Sequence, residues 1–335
     1  MPQTPDAGHD PVLVAEVLAA LRPALTPAGH PAASRRHVVV DCTLGRAGHA
    51  RALLSELSGA DLFIGLDIDP ANLAFAESRL RGEARCEVRL FHANFAQIAE
   101  VLAEVGVGPD AGGGQGGVSA VLADLGVSTN QLLDVRYGLT FAEDAPLDMR
   151  LDPSQGVSAW EIVNRWSERE LADVLYRNAD ERLSRRIARR IAEERRHGPI
   201  NSTRRLAELV RSVAGRGAHP GGIDPATRTF QALRMEANRE VDNLRKLLET
   251  APDVLAVGGR LAVISFHSGE DRQVKRVFRE RESAAGAAAG GSGAVGTAAR
   301  SFSVVTRKPI TPSDAELSVN PRARSAKLRV LQRTA

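Results

Sequence analysis

The sequence has little cysteine and no long apolar segment. Two of its 335 residues are cysteines, Cys42 and Cys86, too few for a disulfide framework or a cysteine-built structural zinc site. This scarcity indicates a reducing compartment, and we expect a cytoplasmic protein. No run approaches the ~20 apolar residues needed to cross a bilayer, and residues 1–10 have neither a basic start nor an apolar stretch. We therefore expect an unexported protein with no membrane partner.

Lysine is also scarce. Of the 44 basic residues, 40 are arginine and 4 are lysine. Codon bias explains part of this skew, but the planar guanidinium also suits phosphate groups and base edges. The formal net charge is only +3, yet residues 1–176 carry 13 basic and 24 acidic side chains, whereas residues 177–335 carry 31 and 17. The second half is therefore the expected site of contact with a polyanion.

The first third of the chain alternates short apolar runs with helix-like stretches. The overall composition, 43% hydrophobic and 25% charged, is that of a globular protein, and the length suggests about two domains. Strands are predicted over residues 37–45, 62–70, 87–95 and 118–128, and helices over 47–57, 71–81 and 96–107. This alternation predicts right-handed crossovers and a doubly wound α/β domain with a parallel sheet.

The pattern changes after residue 130. Residues 158–216 contain several helical stretches and no convincing strand, and both Ser158 with Glu161 and Ser167 with Glu170 have capping-box spacing. The predictions that follow along the chain are a long helix over about 228–250, a strand over 258–268, a helix over 269–282, and strands over 301–310 and 325–333.

The simplest organisation is a sheet domain interrupted by an insertion. We predict a helical domain over residues 131–228, inserted into a domain made of residues 1–130 and 229–335, because insertions are tolerated at loop tips. Residues 283–299, rich in glycine and alanine, are predicted to form a flexible loop.

A glycine turn and an aspartate follow the first two predicted strands. Gly45 and Gly48 lie in the turn after the first strand, where the backbone can approach a ligand and a helix begins. Asp67 ends the second strand 22 positions after Gly45, a spacing at which a carboxylate reaches both ribose hydroxyls of an adenosine. Asp69 precedes Pro70 and is predicted to cap the following helix. Together these features favour a nucleoside ligand.

Two adenosine cofactors compete for such a site. A dinucleotide needs a phosphate cradle with the full G-x-G-x-x-G pattern, which this turn lacks. S-adenosylmethionine has no phosphate and presents a methionyl ammonium, which suits an acidic residue at the end of the first strand, here Asp41. An acidic and amide-rich loop also follows the fourth strand, at the edge where open α/β sheets bind ligands. The sequence therefore favours S-adenosylmethionine.

Eight segments carry a recognisable pattern, in order from residue 8 to residue 333. They are GHDPVLVAEVLAAL, DCTLGRAGH, GLDIDP, LADLGVSTNQLLDVRYGLTF, APLDMRLDP, DPATRTFQALR, GGRLAVISFHSGEDRQVKRVF and NPRARSAKLRVLQR. In these segments the chain resembles the bacterial 16S ribosomal RNA cytosine-N4 methyltransferases. The resemblance implies a Rossmann-like class I S-adenosylmethionine-dependent methyltransferase sheet with an inserted all-helical domain. It also implies S-adenosylmethionine as methyl donor and a decoding-centre cytidine of 16S ribosomal RNA, within the assembled small ribosomal subunit, as acceptor.

The resemblance also assigns donor-binding residues. The family's contacts fall on Ala47, Gly48, His49, Asp67, Phe95, Asp124 and Gln131. From the residues alone, Phe95 fits an adenine face or the core, and His49 fits backbone contact with the donor better than a role as base. The chain departs from the family where Ala47 replaces a usual glycine, Asn130 a usual proline and Gly269 a usual leucine. Ala47 bears on how closely the methionyl group approaches that backbone.

The implied chemistry takes place at an exocyclic amine. Because the lone pair of cytosine N4 is delocalised, transfer needs acceptors that hold the amino hydrogens and direct the nitrogen toward the methyl group. Asp124, or a carbonyl beside it, is the predicted acceptor, with Ser128 or Asn130 orienting the base. An Asp124 that serves the donor alone is an equal alternative. Phe266 or His267 could supply the stacking surface that the acceptor loop lacks, although a lone histidine is more often structural, and no metal site is predicted.

Arginines of two segments are candidates for RNA contacts. Residues 181–196 place several arginines on one broad helix face, and residues 227–234 add two more near the predicted domain junction. The candidates are Arg185, Arg186, Arg189, Arg190, Arg228 and Arg234. A solvated surface helix also explains the first four, and a locked domain junction also explains the last two.

Four functions remain in competition. The first is a ribosomal RNA cytosine-N4 methyltransferase, and the second is an enzyme that methylates an amine of DNA or of a protein glutamine. The third is a dinucleotide-dependent oxidoreductase, which the glycine pattern disfavours. The fourth is a non-catalytic RNA-binding protein of ribosome assembly, against which the polar acceptor loop argues. The sequence leaves the oligomeric state open, a homodimer included.

Overall fold

Seven strands form a single sheet in the described part of the chain. The computed structural model describes residues 11–25, 36–108, 116–214, 222, 224–289 and 300–335, with side chains omitted for 284–289. The strands are β1 (Val38–Asp41), β2 (Leu62–Asp67), β3 (Glu87–His92), β4 (Val118–Asp124), β5 (Leu255–Ser265), β6 (Phe302–Val304) and β7 (Lys327–Arg333). Their order is β3-β2-β1-β4-β5-β7-β6. The first five are parallel, as predicted, and β7 runs antiparallel to β5 and β6.

The helices alternate with the strands at both ends of the chain and are consecutive in its middle. They are α1 (Val14–Leu25), α2 (Gly48–Leu54), α3 (Pro70–Leu80), α4 (Ile98–Glu104), α5 (Thr129–Leu133), α6 (Ala159–Arg165), α7 (Glu168–Ala179), α8 (Ser184–Glu194), α9 (Thr203–Ala214), α10 (Ala226–Ala237), α11 (Glu240–Val254), α12 (Ser268–Ala289) and α13 (Asp314–Val319). In the described residues no helix is long and apolar enough to cross a membrane.

The chain divides into two compact units. The sheet unit comprises Met1–Gly126 and Asn243–Ala335, and the helical unit comprises Val127–Asp242. The predicted insertion over residues 131–228 lies inside the helical unit, which is longer at both ends. The extra length arises because α10 packs on α7 within the helical unit, so the chain returns to the sheet unit only inside α11.

The core of the sheet unit follows from the alternation of side chains along each strand. In β1, Val38 and Val40 pack on one face with Leu247 of α11, whereas Val39 packs on the other with Leu21 of α1. Each strand at the centre of the sheet is buried on both faces, which is why β1, β2 and β4 read as continuous apolar runs.

The helix predicted over residues 228–250 is wrong in one respect, since it is two helices. α10 ends at Ala237 and α11 begins at Glu240. Between them Arg239 has a φ of 51°, in the left-handed region. The Asn238 amide accepts a hydrogen bond from the Leu151 N–H and donates one to the Met149 carbonyl, at 2.9 and 2.7 Å. These long-range bonds fix the break.

The flexible loop predicted over residues 283–299 is partly wrong. α12 continues through Ala289, so the first part of this stretch is helical. Alanine has the highest helix propensity, and a run of alanines offsets the roughly 1 kcal/mol cost of the single Gly286. Residues 290–299 lie outside the described residues.

Candidate active site

Three aspartates lie at the carboxyl ends of adjacent parallel strands. Asp41 ends β1, Asp67 ends β2 and Asp124 ends β4, and β1 lies between β2 and β4. The strand order reverses between β1 and β4, the switch point at which open α/β sheets bind ligands. The structure therefore brings the three carboxylates to one edge of the sheet.

The same aspartates fix the turn between β1 and α2. The Thr43 N–H donates to Asp41 Oδ1 at 3.1 Å, and the Gly45 N–H donates to Asp67 Oδ2 at 2.7 Å. The Thr43 hydroxyl accepts a 2.7 Å bond from the backbone N–H of Asp124. Gly45 has a φ of 53°, which explains the glycine at this position. The turn thus joins the ends of all three strands.

Asp67 is buried, with 7% of its surface exposed. Besides the Gly45 N–H, its carboxylate accepts the Asp69 N–H at 2.8 Å and a hydrogen bond from the Asn72 side chain. Burial raises the pKa of Asp67 to about 6, although these hydrogen bonds oppose the rise. Asp69, in turn, accepts the Ala71 N–H at 2.9 Å and caps α3, as predicted.

Asp41 and Asp124 each have a buried carboxylate oxygen that lacks a hydrogen-bond partner in the described chain, Oδ2 of Asp41 and Oδ1 of Asp124. Burial raises the pKa of Asp41 to about 6. Burial, and to a smaller extent the charge of Glu270, raises the pKa of Asp124 to about 7. An unsatisfied buried carboxylate is costly, so both oxygens mark places where a donor or a cation would bind.

The His49 ring lies between the Val12 carbonyl and the Asp124 carboxylate. Its Nε2 is 2.8 Å from the Val12 carbonyl, an acceptor, so Nε2 carries the proton. Its Nδ1 lies 3.6 Å from Asp124 Oδ2. Burial lowers the pKa of His49, and the nearby Asp41 charge opposes this. The imidazole is therefore neutral, with an unprotonated nitrogen directed toward Asp124.

Ala47 is strained. It precedes α2 with a φ of 63°, a left-handed conformation that costs an L-residue with a Cβ about 1–2 kcal/mol. Gly48 begins the helix, and a Cβ built there would come within 2.9 Å of Pro11. The glycine that the family usually has in place of Ala47 thus matches the backbone better than the alanine.

Replacing Ala47 by glycine is expected to raise the free energy of unfolding by ~0.5–1 kcal/mol, because relief of the left-handed strain exceeds the added freedom of the unfolded chain. The matched control is Ala50→Gly, three residues later inside α2 and fully buried. It should destabilise by at least ~1 kcal/mol. Urea unfolding of both variants measures the effects, and an Ala47→Gly variant as unstable as Ala50→Gly would contradict the strain.

Phe95 begins a short 3-10 turn after β3. It is half-buried and packs against the core face that contains Ile64 and Leu66. The turn is fixed by Asn94, which accepts the Ala96 N–H at 2.9 Å. Phe95 thus has both the core contact and the partly exposed ring that the sequence left as alternatives.

The corner between β5 and α12 lies next to the end of β4. Phe266 lies against the loop after Asp124, since a Cβ built on Gly126 would be 3.7 Å from its ring. His267 Nδ1 accepts the Gly269 N–H at 3.2 Å, and its Nε2 is 3.2 Å from Glu270 Oε1. His267 is therefore held as a helix cap, whereas the Phe266 ring lies beside Gly126.

Glu270 and Thr43 are functional candidates that the sequence reasoning missed. Glu270 is 7% exposed, accepts the Phe266 N–H at 2.9 Å and contributes to the raised pKa of Asp124. Its position three residues after His267, at the start of a helix, was the available signal. Thr43 gave none, because its partner is 81 positions away.

Three further candidates, Ser128, Asn130 and Gln131, belong to the helical unit. Ser128 precedes α5, and its N–H donates to Gln131 Oε1 at 2.9 Å. The Ser128 hydroxyl oxygen is buried and lacks a hydrogen-bond partner among the described residues. Asn130 is the second residue of α5. In this structure Gln131 is thus a helix-capping residue.

The arginines predicted to contact RNA differ in the ion pairs and hydrogen bonds that they already make within the protein. Arg234 is bound by both carboxylate oxygens of Glu240 at 2.8 Å and is 17% exposed, which makes it a structural residue of the helical unit. On α8, Arg190 pairs with Glu194 at 3.1 Å, Arg189 lies 3.7 Å from Glu168, and Arg186 donates to the Val213 carbonyl. Arg185 and Arg228 are exposed and make no ion pair within the described residues.

The positive charge does not follow the division into units. Residues 127–242 carry 19 basic and 18 acidic side chains, whereas residues 243–335 carry 16 and 8. Residues 177–242 of the helical unit carry 15 basic and 9 acidic side chains, a net of +6, against +8 for residues 243–335, so the positive charge of the second half of the sequence is shared by both units.

The parallel β3-β2-β1-β4-β5 order, completed by an antiparallel β7 between β5 and β6, is the sheet of a class I methyltransferase. The methyl donor of this class is S-adenosylmethionine, which agrees with acidic residues at the ends of β1 and β2 and with a glycine turn that lacks a phosphate cradle. The chain belongs to the MraW methylase family, whose model matches residues 6–334.

Curated relatives are similar in sequence to this chain over most of their length. The chain is 43% identical over 294 residues to the ribosomal RNA small subunit methyltransferase H of Synechococcus elongatus, covering 88% of this chain and 87% of the relative. It is 44% identical to the protein of that name from Sorangium cellulosum, with 97% and 90% covered. A solved rRNA methylase from Streptococcus thermophilus is 11% identical, with a TM-score of 0.37 and 90% and 88% covered. The family inferred from the eight segments is confirmed.

Proposed function

We propose that this protein transfers the methyl group of S-adenosylmethionine to N4 of a cytidine in the decoding centre of 16S ribosomal RNA. At the coarser level it is a small-subunit ribosomal RNA methyltransferase, in line with its relatives. The observation that carries the finer proposal is the buried Asp124 Oδ1 at the end of β4, which lacks a hydrogen-bond partner in the described chain. An exocyclic amine is a hydrogen-bond donor that would satisfy this oxygen.

The residues at the carboxyl edge of the sheet fit the methyl donor, S-adenosylmethionine. Asp41 Oδ2, also lacking a partner in the described chain, would bind the methionyl ammonium. Asp67 accepts hydrogen bonds from Gly45, Asp69 and Asn72, and its remaining lone pair would accept a ribose hydroxyl. Phe95 would pack on the adenine. When bound, the donor supplies an electrophilic methyl group on a positively charged sulfur.

The remaining donor contacts are carried over from the family. Ala47, Gly48 and His49 would contribute backbone around the methionyl group, and Gln131 is assigned to the donor by the family pattern alone. Ala47 is left-handed, and its N–H and carbonyl are bonded within the chain, to the Leu44 carbonyl and the Arg51 N–H, so we expect this departure to affect stability more than donor affinity.

Asp124 would hold the acceptor. Its ionised Oδ1 would accept a hydrogen of the cytosine amino group and so direct the N4 lone pair toward the methyl group. A nearby cationic donor favours ionisation of a carboxyl whose pKa burial has raised to about 7. Ser128 and Asn130, further along the chain, remain our candidates for orienting the base, and Phe266 our candidate for stacking on it.

His49 gives the departing proton a second acceptor. No covalent intermediate is needed, because the amine attacks the methyl carbon directly and loses a proton late. Asp124 would receive that proton, and the unprotonated His49 Nδ1 lies 3.6 Å from Asp124 Oδ2. His267 is already engaged as the cap of α12, so we assign it a positioning role and no proton transfer.

Exposed arginines would contact the RNA. Arg185 and Arg228 are the best candidates because they are exposed and make no ion pair within the described residues, and Arg186, Arg189 and Arg190 would have to exchange an existing partner. Arg234, in contrast, donates from two of its guanidinium nitrogens to the Glu240 carboxylate, so we do not propose an RNA contact for it.

Methyl-labelled S-adenosylmethionine tests the proposal. The protein is incubated with the labelled donor and either naked 16S RNA or assembled small subunits. We expect label in the subunit RNA. Incorporation into DNA or protein instead would favour the alternative amine methyltransferases, and donor binding without transfer to any small-subunit substrate would favour an assembly protein without catalytic activity.

A further inference from the structure

A notch on the sheet unit is lined by four cations that the donor and acceptor sites do not use. α12, β7 and the chain around β6 enclose about 50 Å³ there. We define the α12 notch by its polar lining, which consists of Lys275, Arg279, Glu282, Thr306, Arg307 and Arg329. Nothing in the reaction described above requires this concentration of charge.

The cations of the notch are only partly neutralised. Arg329 is held by Asp271 at 2.6 Å and is 6% exposed, so it is fixed in place. Glu282 accepts the Val304 N–H at 2.9 Å and lies 3.9 Å from Arg307. Lys275 and Arg279 make no ion pair within the described residues. The notch therefore has an excess of positive charge, including one ammonium and one guanidinium group that no carboxylate of the described residues neutralises.

The notch also offers a neutral hydrogen-bond donor. The buried Thr306 hydroxyl accepts the Val330 N–H at 2.8 Å, which leaves its own hydrogen to donate. A space of this size holds a few water molecules or one small oxyanion. Guanidinium groups bind phosphate oxygens through a planar fork of N–H donors, and a hydroxyl can add a further hydrogen bond.

The positive surface continues along α12. Arg272, Lys275 and Arg279 follow each other at i, i+3 and i+7 and so lie on one side of the helix over about 10 Å. Residues 243–335 carry twice as many basic as acidic side chains. A row of cations that leads into a notch fits a chain of phosphates better than a single small anion.

We infer that the α12 notch and this row of cations bind successive phosphates of the RNA backbone. The inference rests on the proposed function for the identity of the polyanion. It places a sequence-independent contact on the sheet unit, in addition to the arginines of the helical unit. The contact would hold the substrate strand without touching the target base.

The test is the triple variant Lys275→Gln, Arg279→Gln, Arg307→Gln. Its matched control is Arg36→Gln, Arg51→Gln, Arg81→Gln, which removes three exposed cations that each pair with a glutamate on the sheet unit, away from α12. We expect the notch variant to bind 16S RNA about 10-fold or more weakly at fixed salt. A plot of the logarithm of its association constant against the logarithm of the salt concentration should be less steep than that of the wild type, by about 2. KM for RNA should rise while kcat and donor KM stay unchanged.

The outcomes separate this inference from the proposed function. If the notch variant had the same RNA affinity and the same salt dependence as the control variant, the inference about the notch would be overturned. Methyl transfer by the wild type would still support the proposed function. No transfer by the wild type would refute the function itself. A notch variant that lost binding to anionic lipid vesicles but not to RNA would show that the surface serves a membrane, which also overturns the inference.

Discussion

Replacing Asp124 by asparagine is expected to lower kcat for methyl transfer by about 100- to 1,000-fold with both substrates saturating. The amide has nearly the same shape, but its nitrogen repels the amino hydrogens and its oxygen takes no proton. The kcat/KM of the wild type should rise with pH through about 7, since the carboxyl acts only when ionised and burial raises its pKa in the free enzyme to about 7. The Asp124→Asn variant should lose that dependence.

The same substitution is expected to stabilise the protein at pH 8. The folded pKa of Asp124 lies above the unfolded value of about 4, because burial disfavours the charge. The folded state therefore binds the proton more tightly, and the stability gained below pH 4 is lost as pH rises through about 7. An uncharged asparagine removes this loss. Thermal unfolding at pH 5 and pH 8 should show a gain for the variant mainly at pH 8.

Asp61→Asn is the matched control. Burial acts to raise the pKa of Asp61, but hydrogen bonds from Ser58 and His37 outweigh it and lower the pKa. Asp61 lies before β2, at the opposite edge of the sheet from Asp124. Its asparagine variant should be less stable at pH 8 and keep the wild-type kcat. Normal turnover by Asp124→Asn with saturating donor would remove Asp124 from the chemistry and leave it a donor contact only.

Replacing Asp67 by alanine is expected to weaken binding of S-adenosylmethionine by about 10- to 100-fold, since a hydrogen bond to a charged group contributes about 1.5–3 kcal/mol. Ribose hydroxyls are held equally in the ground state and in the transition state, so the loss should fall on the donor KM, with kcat changed little. Calorimetric titration with S-adenosylmethionine and with its demethylated product measures the affinity. Both ligands share the ribose and should lose affinity equally.

Asp69→Ala separates the binding role from the structural one. Asp69 is a buried neighbour that caps α3, and its loss should cost ~1 kcal/mol of stability without altering donor affinity. Asp67→Ala also frees the Gly45 and Asp69 N–H groups, so it too will be less stable. Equal donor affinity in the two variants would show that Asp67 only fixes the turn.

Periodicity predicted the parallel sheet because its central strands are buried on both faces. β1, β2 and β4 therefore appear as uninterrupted apolar runs that end in aspartate, and the parallel order then brings Asp41, Asp67 and Asp124 to one edge. Local capping signals were equally informative: Ser158 and Ser167 cap α6 and α7 as predicted.

What the sequence could not predict depends on partners distant along the chain. The break between α10 and α11 is fixed by bonds from Asn238 to residues 87 and 89 positions away. Thr43 meets Asp124 only after β1 and β4 pair. The pair of Arg234 with Glu240 spans only six positions, but it lies across the break between α10 and α11 and was therefore missed with it. Charge counted along the sequence located the basic half but could not divide it between the two units, to which residues 177–242 contribute +6 and residues 243–335 contribute +8.

The most direct test of the account is the identity of the methylated nucleoside. Small subunits that lack the modification are treated with the enzyme and S-adenosylmethionine, and the 16S RNA is digested to nucleosides and compared with authentic standards by chromatography and mass spectrometry. An amine held by Asp124 predicts N4-methylcytidine, formed by the wild type and Asp61→Asn and strongly reduced in Asp124→Asn. A methyl group on a ring carbon, on a ribose oxygen or on another base would contradict it.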